Sequence, residues 1–448
     1  MQRNVFFPNG NIYELNGNVQ RFCQGAVYVG RCMTANNIRY KITDTKLADF
    51  DACSLYPSAM ARMFTVNGIP TFFKNETPER VYNKHNLPDI LQKAFTEDQI
   101  QATEEHCISQ FIVDIEIVEI GRKREFPLIV KRTKTQQMNV NECTKMRVDM
   151  ITLQDLIEFH DISFKLGNGY IWTGDRDHRI RTEIQKLYDL RAQYKKEGNP
   201  TQEIIKLIMN SAYGKSIQKP IKTFLQFVKK EEADWFTRDR YYQIHQVYEL
   251  ADGNQLFELT KQKSNQFNNV LFGVTVLSMS KRIMNEVMCL AEDMNIKIYY
   301  QDTDSMHIEF DKVNALGDAF KAKYGRELIN ESKLGCFHND FPLKDAYCTD
   351  HISLGKKMYC DIIKNDKNET GLHFRMKGVP QQVVQNEADK HFNGDVWSLY
   401  EYIHNGNSIN FNLLDGSVSM MCNLNGEVLC RAEFMREVRC TAPAKNND

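Results

Sequence analysis

The chain has 448 residues, more than one compact core commonly serves, so about two to four structural units are expected. Its hydrophobic fraction of 42% and charged fraction of 26% exclude a disordered or collagen-like chain. A formal net charge of −1 excludes a global basic field as the means of recruiting a polyanion and leaves that task to local cationic patches.

The N-terminus, MQRNVFFPNG, lacks the basic-then-apolar layout of a signal peptide. The most apolar run, Val270–Met279, is shorter than the roughly 18 residues a membrane helix needs. Gly273 and Thr275 also interrupt it. A cytosolic-type reducing compartment and no membrane partner are therefore expected. The twelve cysteines, scattered from Cys23 to Cys440 with no Cys-x-x-Cys pair, read as small buried hydrophobes suited to that compartment.

Taken in order along the chain, the first acidic segment is Leu47–Met60, which contains ADFDACSLYPSAM. Gln110–Ile120 is a predicted strand: Phe111, Val113, Ile115 and Ile117 share one face, Asp114 and Glu116 the other, and Val118 breaks the alternation. Asp114 and Glu116 have the Asp-x-Glu form of a nuclease metal site, but the half-buried strand is the favoured reading. Cations crowd at Arg122, Lys123, Arg124, Lys131, Arg132 and Lys134, at Arg176, Arg179 and Arg181, and at Lys356 and Lys357. Each group suits either a few phosphate contacts or a solvated face.

Asn199–Pro200–Thr201–Gln202 offers an N-cap, a proline at the first helical position and a capping-box Gln. The helix is expected to run through EIIKLIMNSAYG and stop at Gly214. Lys206, Asn210 and Tyr213 share one of its faces, beside an apolar face of Ile205, Ile208, Met209 and Ala212. Lys can hold a phosphate, Tyr can stack under a base, and Gly lets a partner approach closely. A second helix is predicted from about Ser278 to Asn295.

Strands predicted at Ile296–Tyr300 and Ser305–Phe310 enclose an Asp302–Thr303–Asp304 turn. Alone, Asp-x-Asp is ordinary turn chemistry. With the acidic segment around Asp51 and the Lys206 helix, it suggests nucleotide phosphates held between carboxylate-bound Mg²⁺ and a basic face. Cys336, His338, Cys348 and His351 match no zinc spacing, so no metal is expected there. A strand at Met358–Ile363 and a frayed tail from Thr441 to Asp448 complete the pass. Helices mixed with antiparallel strands, without regular β-α-β spacing, favour an α+β architecture.

Five of these strings carry a resemblance. DFDACSLYPS (Asp49–Ser58) resembles motif A of the family B DNA polymerases, KLIMNSAYG (Lys206–Gly214) motif B, and YQDTDS (Tyr300–Ser305) motif C. KKMY (Lys356–Tyr359) matches the Lys-x-Tyr element that follows, and MKGV (Met376–Val379) is similar to the segment after it. They occur in the family's order. Within the family the chain resembles the protein-primed subgroup of phages, linear plasmids and related mobile elements. FPLIVKR (Phe126–Arg132) is similar to the start of that subgroup's first terminal-protein region, and Ile217–Gln266 stands where its second insertion lies. YVGRC (Tyr28–Cys32) partly resembles the Tyr-x-Gly-Gly element, with Arg31 in place of the second Gly.

The resemblance implies an α+β right hand of palm, fingers and thumb, the palm carrying an antiparallel sheet. Residues 1–48 would lead into the palm and 49–169 would form its first part with the terminal-protein-region-like insertion. The fingers would be 170–216, the second insertion 217–267, the rest of the palm 268–380, and the thumb and tail 381–448. The implied activity is DNA-directed DNA synthesis from dNTPs onto a primer 3′-OH, begun on a terminal protein. Its cofactor would be two Mg²⁺ ions, with Mn²⁺ as an alternative. Asp51 and Asp304 would bind the metals, the Ala52 carbonyl would be a further ligand, and Asp302 a supporting acid. Lys206, with Arg191 or Lys195, would neutralise the triphosphate, and Tyr56 would exclude a 2′-hydroxyl. Asn210, Tyr213 and Gly214 would line the nascent base pair, and Lys357 and Tyr359 would steady the primer terminus and minor groove.

In the family an exonuclease domain precedes motif A. Asp114 and Glu116 follow it here and only 48 residues come before it, so a core without its own 3′–5′ exonuclease is expected, served by a separate exonuclease chain. The competing readings are a family B core that extends ordinary nucleic-acid primers, a non-catalytic DNA-binding scaffold of polymerase-like fold, and a nuclease using Asp114 and Glu116.

Overall fold

Leu47–Ala52 forms a strand whose Ala48, Phe50 and Ala52 enter an apolar core, so strand periodicity sends Asp49 and Asp51 to the opposite face. This strand is central to a nine-stranded sheet. On one side it pairs antiparallel with Ser305–Glu309, followed by Ile298–Asp302 and Cys32–Thr34. On the other it meets Phe337–Asn339 and Tyr347–Gly355, and Tyr347–Gly355 continues to Met358–Lys364. The computed structural model describes residues 15, 17–66, 68–133, 136–218, 223–250, 252–260, 269–412, 421–422, 428–429, 435–438 and 440. Lys134 and the tail Thr441–Asp448 lie outside them.

Behind the sheet runs the helix Val270–Asp293, buried over nearly all of its 24 residues. Phe272, Val276, Met279, Ile283 and Val287 join the core of the nine-stranded sheet. Val270, Leu271, Val274 and Cys289 join a second core, shared with a five-stranded sheet. Its apolar side chains point to more than one side, as in a buried helix, and this one serves two cores. It begins eight residues before the expected Ser278, capped by Asn269, whose Oδ1 accepts from Phe272 N–H at 3.0 Å. The two supposed interruptions fit inside it. Gly273 leaves room for Ile217, whose Cγ2 would stand 2.1 Å from a Cβ there, and Thr275 Oγ1 donates to the Leu271 carbonyl at 2.9 Å.

In the second sheet Gln110–Ile120 lies between Lys145–Asp149 and Ile162–Trp172, with Phe111, Val113, Ile115 and Ile117 buried. Asp114 takes a two-pronged contact from Arg147 at 2.7 and 2.9 Å, and Glu116 pairs with Lys145 at 3.6 Å. Both acids of the Asp-x-Glu string are thus held in cross-strand ion pairs.

Charge inside the helical layer is neutralised in a chain of contacts. Arg282 on the long helix reaches Asp155 at 2.7 Å, Glu97 at 2.9 Å and the Ile151 carbonyl at 2.9 Å. Glu286, one turn on, meets Arg62 at 2.8 Å and Arg326 at 2.7 Å. Buried ions persist only when paired in this way.

The described residues up to Ile217, with Asn269–His373, form one compact unit; those from Gln218 to Thr260, with Phe374 onward, form another. The second contains the antiparallel strands Thr223–Val228, Gln255–Thr260 and Ile244–Glu249, packed around Val228, Phe236, Phe257 and Leu259. It also contains the helices Gln381–His391 and Val396–His404.

Asp155→Ala would remove the buried partner of Arg282, leaving it Glu97 and neutral oxygens, and is expected to cost about 3 kcal/mol. Urea unfolding measures it, with Lys131→Ala, in the exposed Lys131–Glu142 pair, as the comparison that should leave the midpoint unchanged.

Candidate active site

The strands Ile298–Asp302 and Ser305–Glu309 are joined by a turn in which Thr303 takes φ +64°, a strained value for a β-branched residue. Backbone contacts hold it there. Thr303 N–H donates to the Arg31 carbonyl at 2.8 Å, and Asp304 N–H to the Asp302 carbonyl at 2.8 Å. Gly30 lies against the turn so closely that a Cβ there would stand 2.6 Å from Thr303 Cγ2. Ala52 N–H donates to the Asp304 carbonyl at 2.9 Å, and Asp51 is the cross-strand partner of Ser305. Asp51 and Asp304, remote in sequence, therefore sit at neighbouring strand ends.

Both carboxyls are half-buried, and neither is ion-paired among the described residues. Burial, then the Asp304 charge, pushes Asp51 up to about 8. Burial likewise raises Asp304. Two neighbouring half-buried carboxyls whose ionisation is hindered offer oxygen donors to a divalent cation.

The third acid of this group is engaged differently. Asp302 accepts both contacts of Lys357 Nζ, at 2.7 and 3.0 Å, while Lys357 N–H donates to the Tyr300 hydroxyl at 3.0 Å. Asp302 and Lys357, expected in separate roles, are partners. Tyr359, expected at the minor groove, is only 6% exposed; its ring packs beside Tyr300, His307 and His373 at centroid distances of 5.0, 5.2 and 5.3 Å. A side chain so enclosed is placed to support its neighbours in the sheet.

The basic helix spans Thr201–Ser216. Pro200 already has helical angles, φ −63° and ψ −17°, and Asn199 Oδ1 accepts from Thr201 N–H at 3.0 Å. The capping-box contact is absent, because Gln202 bonds Glu203 at 2.6 Å instead. The helix passes through Gly214 and ends two residues later, since Gly214 has ordinary helical geometry. Among the described residues outside its own helix turn, nothing lies within 4 Å of where its Cβ would be. Ile205, Met209 and Ala212 are buried and Ile208 half-buried, while Lys206 and Asn210 are exposed. Tyr213 stacks on Tyr56, with ring centroids 4.3 Å apart and 25° between planes. Burial and the Tyr213 contact raise the Tyr56 hydroxyl. The preceding helix, Arg179–Lys196, packs against both this helix and Leu55–Arg62. It holds Arg191 half-buried, with a buried Nε that has no partner among the described residues, and leaves Lys195 exposed.

Arg31 is the residue that sequence reasoning undervalued. At 6% exposure its guanidinium contacts the Gln301 side chain, Asn285 Oδ1 at 3.1 Å and the carbonyls of Phe126 at 3.0 Å and Pro127 at 3.3 Å. It ties the segment behind the Thr303 turn to the long helix and to the strand bearing Asp302. The only sequence signal was its departure from the Tyr-x-Gly-Gly pattern.

Residues 2–283 match the family described as DNA polymerase type B, organellar and viral. The chain belongs to that family. Its architecture is the α+β polymerase fold: it superposes on Phi29 DNA polymerase complexed with primer-template DNA and incoming nucleotide substrates with a TM-score of 0.63 at 14% identity. That superposition covers 98% of this chain and 66% of the other. The similar curated proteins include a DNA polymerase of Kluyveromyces lactis, 30% identical over 53% of this chain and 23% of its own length. A probable DNA polymerase of Ascobolus immersus is 22% identical over 77% of this chain and 25% of its own length. This type B chain thus spans about a quarter of the length of those relatives. No helix among its described residues is long and apolar enough to cross a membrane.

The raised Asp51 carboxyl has a stability consequence. It keeps its proton up to about pH 8, against 3.8 ordinarily, so its contribution is present at low pH and lost as pH rises between those values. Without divalent ions, Asp51→Asn is therefore expected to raise the melting temperature at pH 8.5 and to flatten its fall from pH 6. Mg²⁺ should restore stability to the natural protein but much less to the variant. Differential scanning calorimetry reads all three.

Proposed function

We propose that this chain carries the catalytic core of a DNA-directed DNA polymerase, transferring nucleotides from dNTPs to a primer 3′-hydroxyl. The observation that carries this reading is the placement of Asp51 and Asp304 at adjacent strand ends, unpaired and hindered in ionising. Family membership supports it, as do relatives named DNA polymerases and the fold shared with a polymerase complexed with primer-template DNA and incoming nucleotide substrates.

The residues fit a pair of divalent ions, Mg²⁺ or Mn²⁺, held by Asp51 and Asp304 with the Ala52 carbonyl as a further ligand. When bound, such ions activate the attacking 3′-oxygen and stabilise charge on the α-phosphate and departing pyrophosphate. The other groups bind and orient. Lys206 is exposed on the basic face, and Arg191 offers an unused N–H from the adjoining helix; both would take the triphosphate. Lys195, one turn further out, would play a lesser part. Tyr56, braced by Tyr213, would pack against the sugar and exclude a 2′-hydroxyl. Asn210 and the open side of Gly214 would border the base pair. Lys357, steadied by Asp302, would approach the primer phosphate, with Tyr359 supporting it from beneath.

Initiation on the hydroxyl of a terminal protein is the finer part of the proposal and rests on the FPLIVKR resemblance at Phe126–Arg132. Separate arms of one assay test the two parts. With an oligonucleotide primer-template, Asp304→Asn should lower extension by roughly 10³-fold or more, and undiminished extension would defeat the catalytic reading. With no oligonucleotide, labelled dNTP should become covalently attached to a protein.

The tyrosine pair yields a separate expectation. Tyr56→Val should raise ribonucleotide incorporation relative to deoxynucleotide by about ten-fold or more, the scale at which a shaped pocket discriminates. Competition kinetics with matched rNTP and dNTP measures the ratio; no change would remove Tyr56 from the sugar contact.

A further inference from the structure

On the sheet face that bears Asp51, one step further along the strand, a second polar group lies buried. Asp361, 0% exposed, stands among three imidazoles. Its Oδ2 meets His307 Nε2 at 2.9 Å and His373 Nδ1 at 3.1 Å, and its Oδ1 meets His351 Nδ1 at 2.6 Å. His307, Asp361 and His373 each bring one ligand atom into a group whose members all lie within 4.8 Å of one another. Ligands about 2.0–2.2 Å from a tetrahedral ion stand roughly 3.4 Å apart, a little more than the 2.9 and 3.1 Å that the two imidazoles keep from Asp361 Oδ2.

A second observation points to an ion rather than to hydrogen bonds alone. Each imidazole turns one nitrogen to Asp361, which leaves His307 Nδ1 outside the group. That atom is buried without a partner among the described residues, and so is Asp49 Oδ1 on the residue paired with His307 across the strands. Unpaired buried polar atoms are costly. A cation on His307 Nε2 would fix the ring proton on Nδ1, and a small shift of Asp49 would complete the carboxylate–histidine–metal arrangement that orients metal-bound imidazoles. The ion's two positive charges would also balance Asp49 and Asp361.

We propose that His307, Asp361 and His373 form a structural transition-metal site, with Asp49 as the outer partner of His307. Two imidazole nitrogens with one carboxylate, in a largely closed site, favour Zn²⁺ over Mg²⁺. His373, on the strand that begins at Thr370 and partly exposed, is the ligand through which the ion enters. The site is distinct from the Asp51–Asp304 pair and does not depend on the polymerase reading. Bound metal would fasten together three strands of the sheet that carries Asp51, one on one side of its strand and two on the other.

The test uses the full chain, purified without chelator, loaded with Zn²⁺ and dialysed against metal-free buffer. Elemental analysis should find about one zinc per chain, and His373→Ala and His373→Gln should each weaken retention by about 10–100-fold. Asp304→Asn should keep its zinc. Co²⁺ in place of Zn²⁺ should give the visible absorption of a tetrahedral nitrogen–oxygen site, absent from both His373 variants. Circular dichroism checks their folding, and the cobalt spectrum of the natural protein stands as evidence even if both misfold. Natural protein that keeps no zinc and gives no cobalt band overturns the proposal and leaves His307 as an imidazolium between Asp49 and Asp361. Zinc retained by folded His373 variants, or lost from Asp304→Asn, overturns it as well.

Discussion

Two like charges must be held side by side, half out of water, and everything else in the larger unit bears on how that is done. Asp51 and Asp304 gain nothing from each other's company; burial opposes the ionisation of both, and the Asp304 charge adds to it at Asp51. What holds them is backbone: the pairing of Asp51 with Ser305, the Ala52–Asp304 hydrogen bond and the carbonyl of Arg31 on the Thr303 amide. The arrangement has no tolerance for slippage. A shift of one residue would turn Asp51 into the apolar core and Phe50 out of it, because successive side chains face opposite ways.

The register is defended from behind. The long helix fills two cores, and the ion chain through Arg282 and Glu286 binds it to neighbouring helices. Arg31 works on the other side of the same hairpin, gripping groups from three separate stretches of chain. A long, fully charged side chain there does what a second glycine could not. The site is thus a strained surface on a rigid support, the usual division between a functional site and the scaffold that carries it.

Much of this was legible in the residues. Alternation over Phe111–Ile117 placed the strand Gln110–Ile120 with its observed limits, and helical spacing separated exposed Lys206 and Asn210 from buried Ile205 and Met209. The turn at Asp302–Asp304 announced itself by composition between two apolar strands. Contacts between distant segments were not legible. The Lys357–Asp302 pair, the burial of Tyr359 and the three imidazoles around Asp361 arise from strand order, which no local pattern encodes. The long helix begins eight residues before its expected start, and Gly273 and Thr275 fit within it, one accommodating Ile217 and the other bonding back to its own helix. Arg31 looked like an eroded motif for a similar reason, since its partners lie far away.

The span of Arg31's contact with Gln301, a separation of 270 residues, bears on how the molecule is made. At the usual pace of synthesis, about 5–20 residues per second, the strand at Cys32 waits roughly 15–50 seconds for its neighbour to leave the ribosome. Until then the strand with Asp51 lacks the partner that shields one edge, and its apolar face has no long helix to cover it. Closing so distant a pair is slow on entropic grounds as well. The carboxylate pair is therefore among the last features to take shape on a nascent chain, and a truncated product ending before residue 298 would have the first acid, the basic helix and no site.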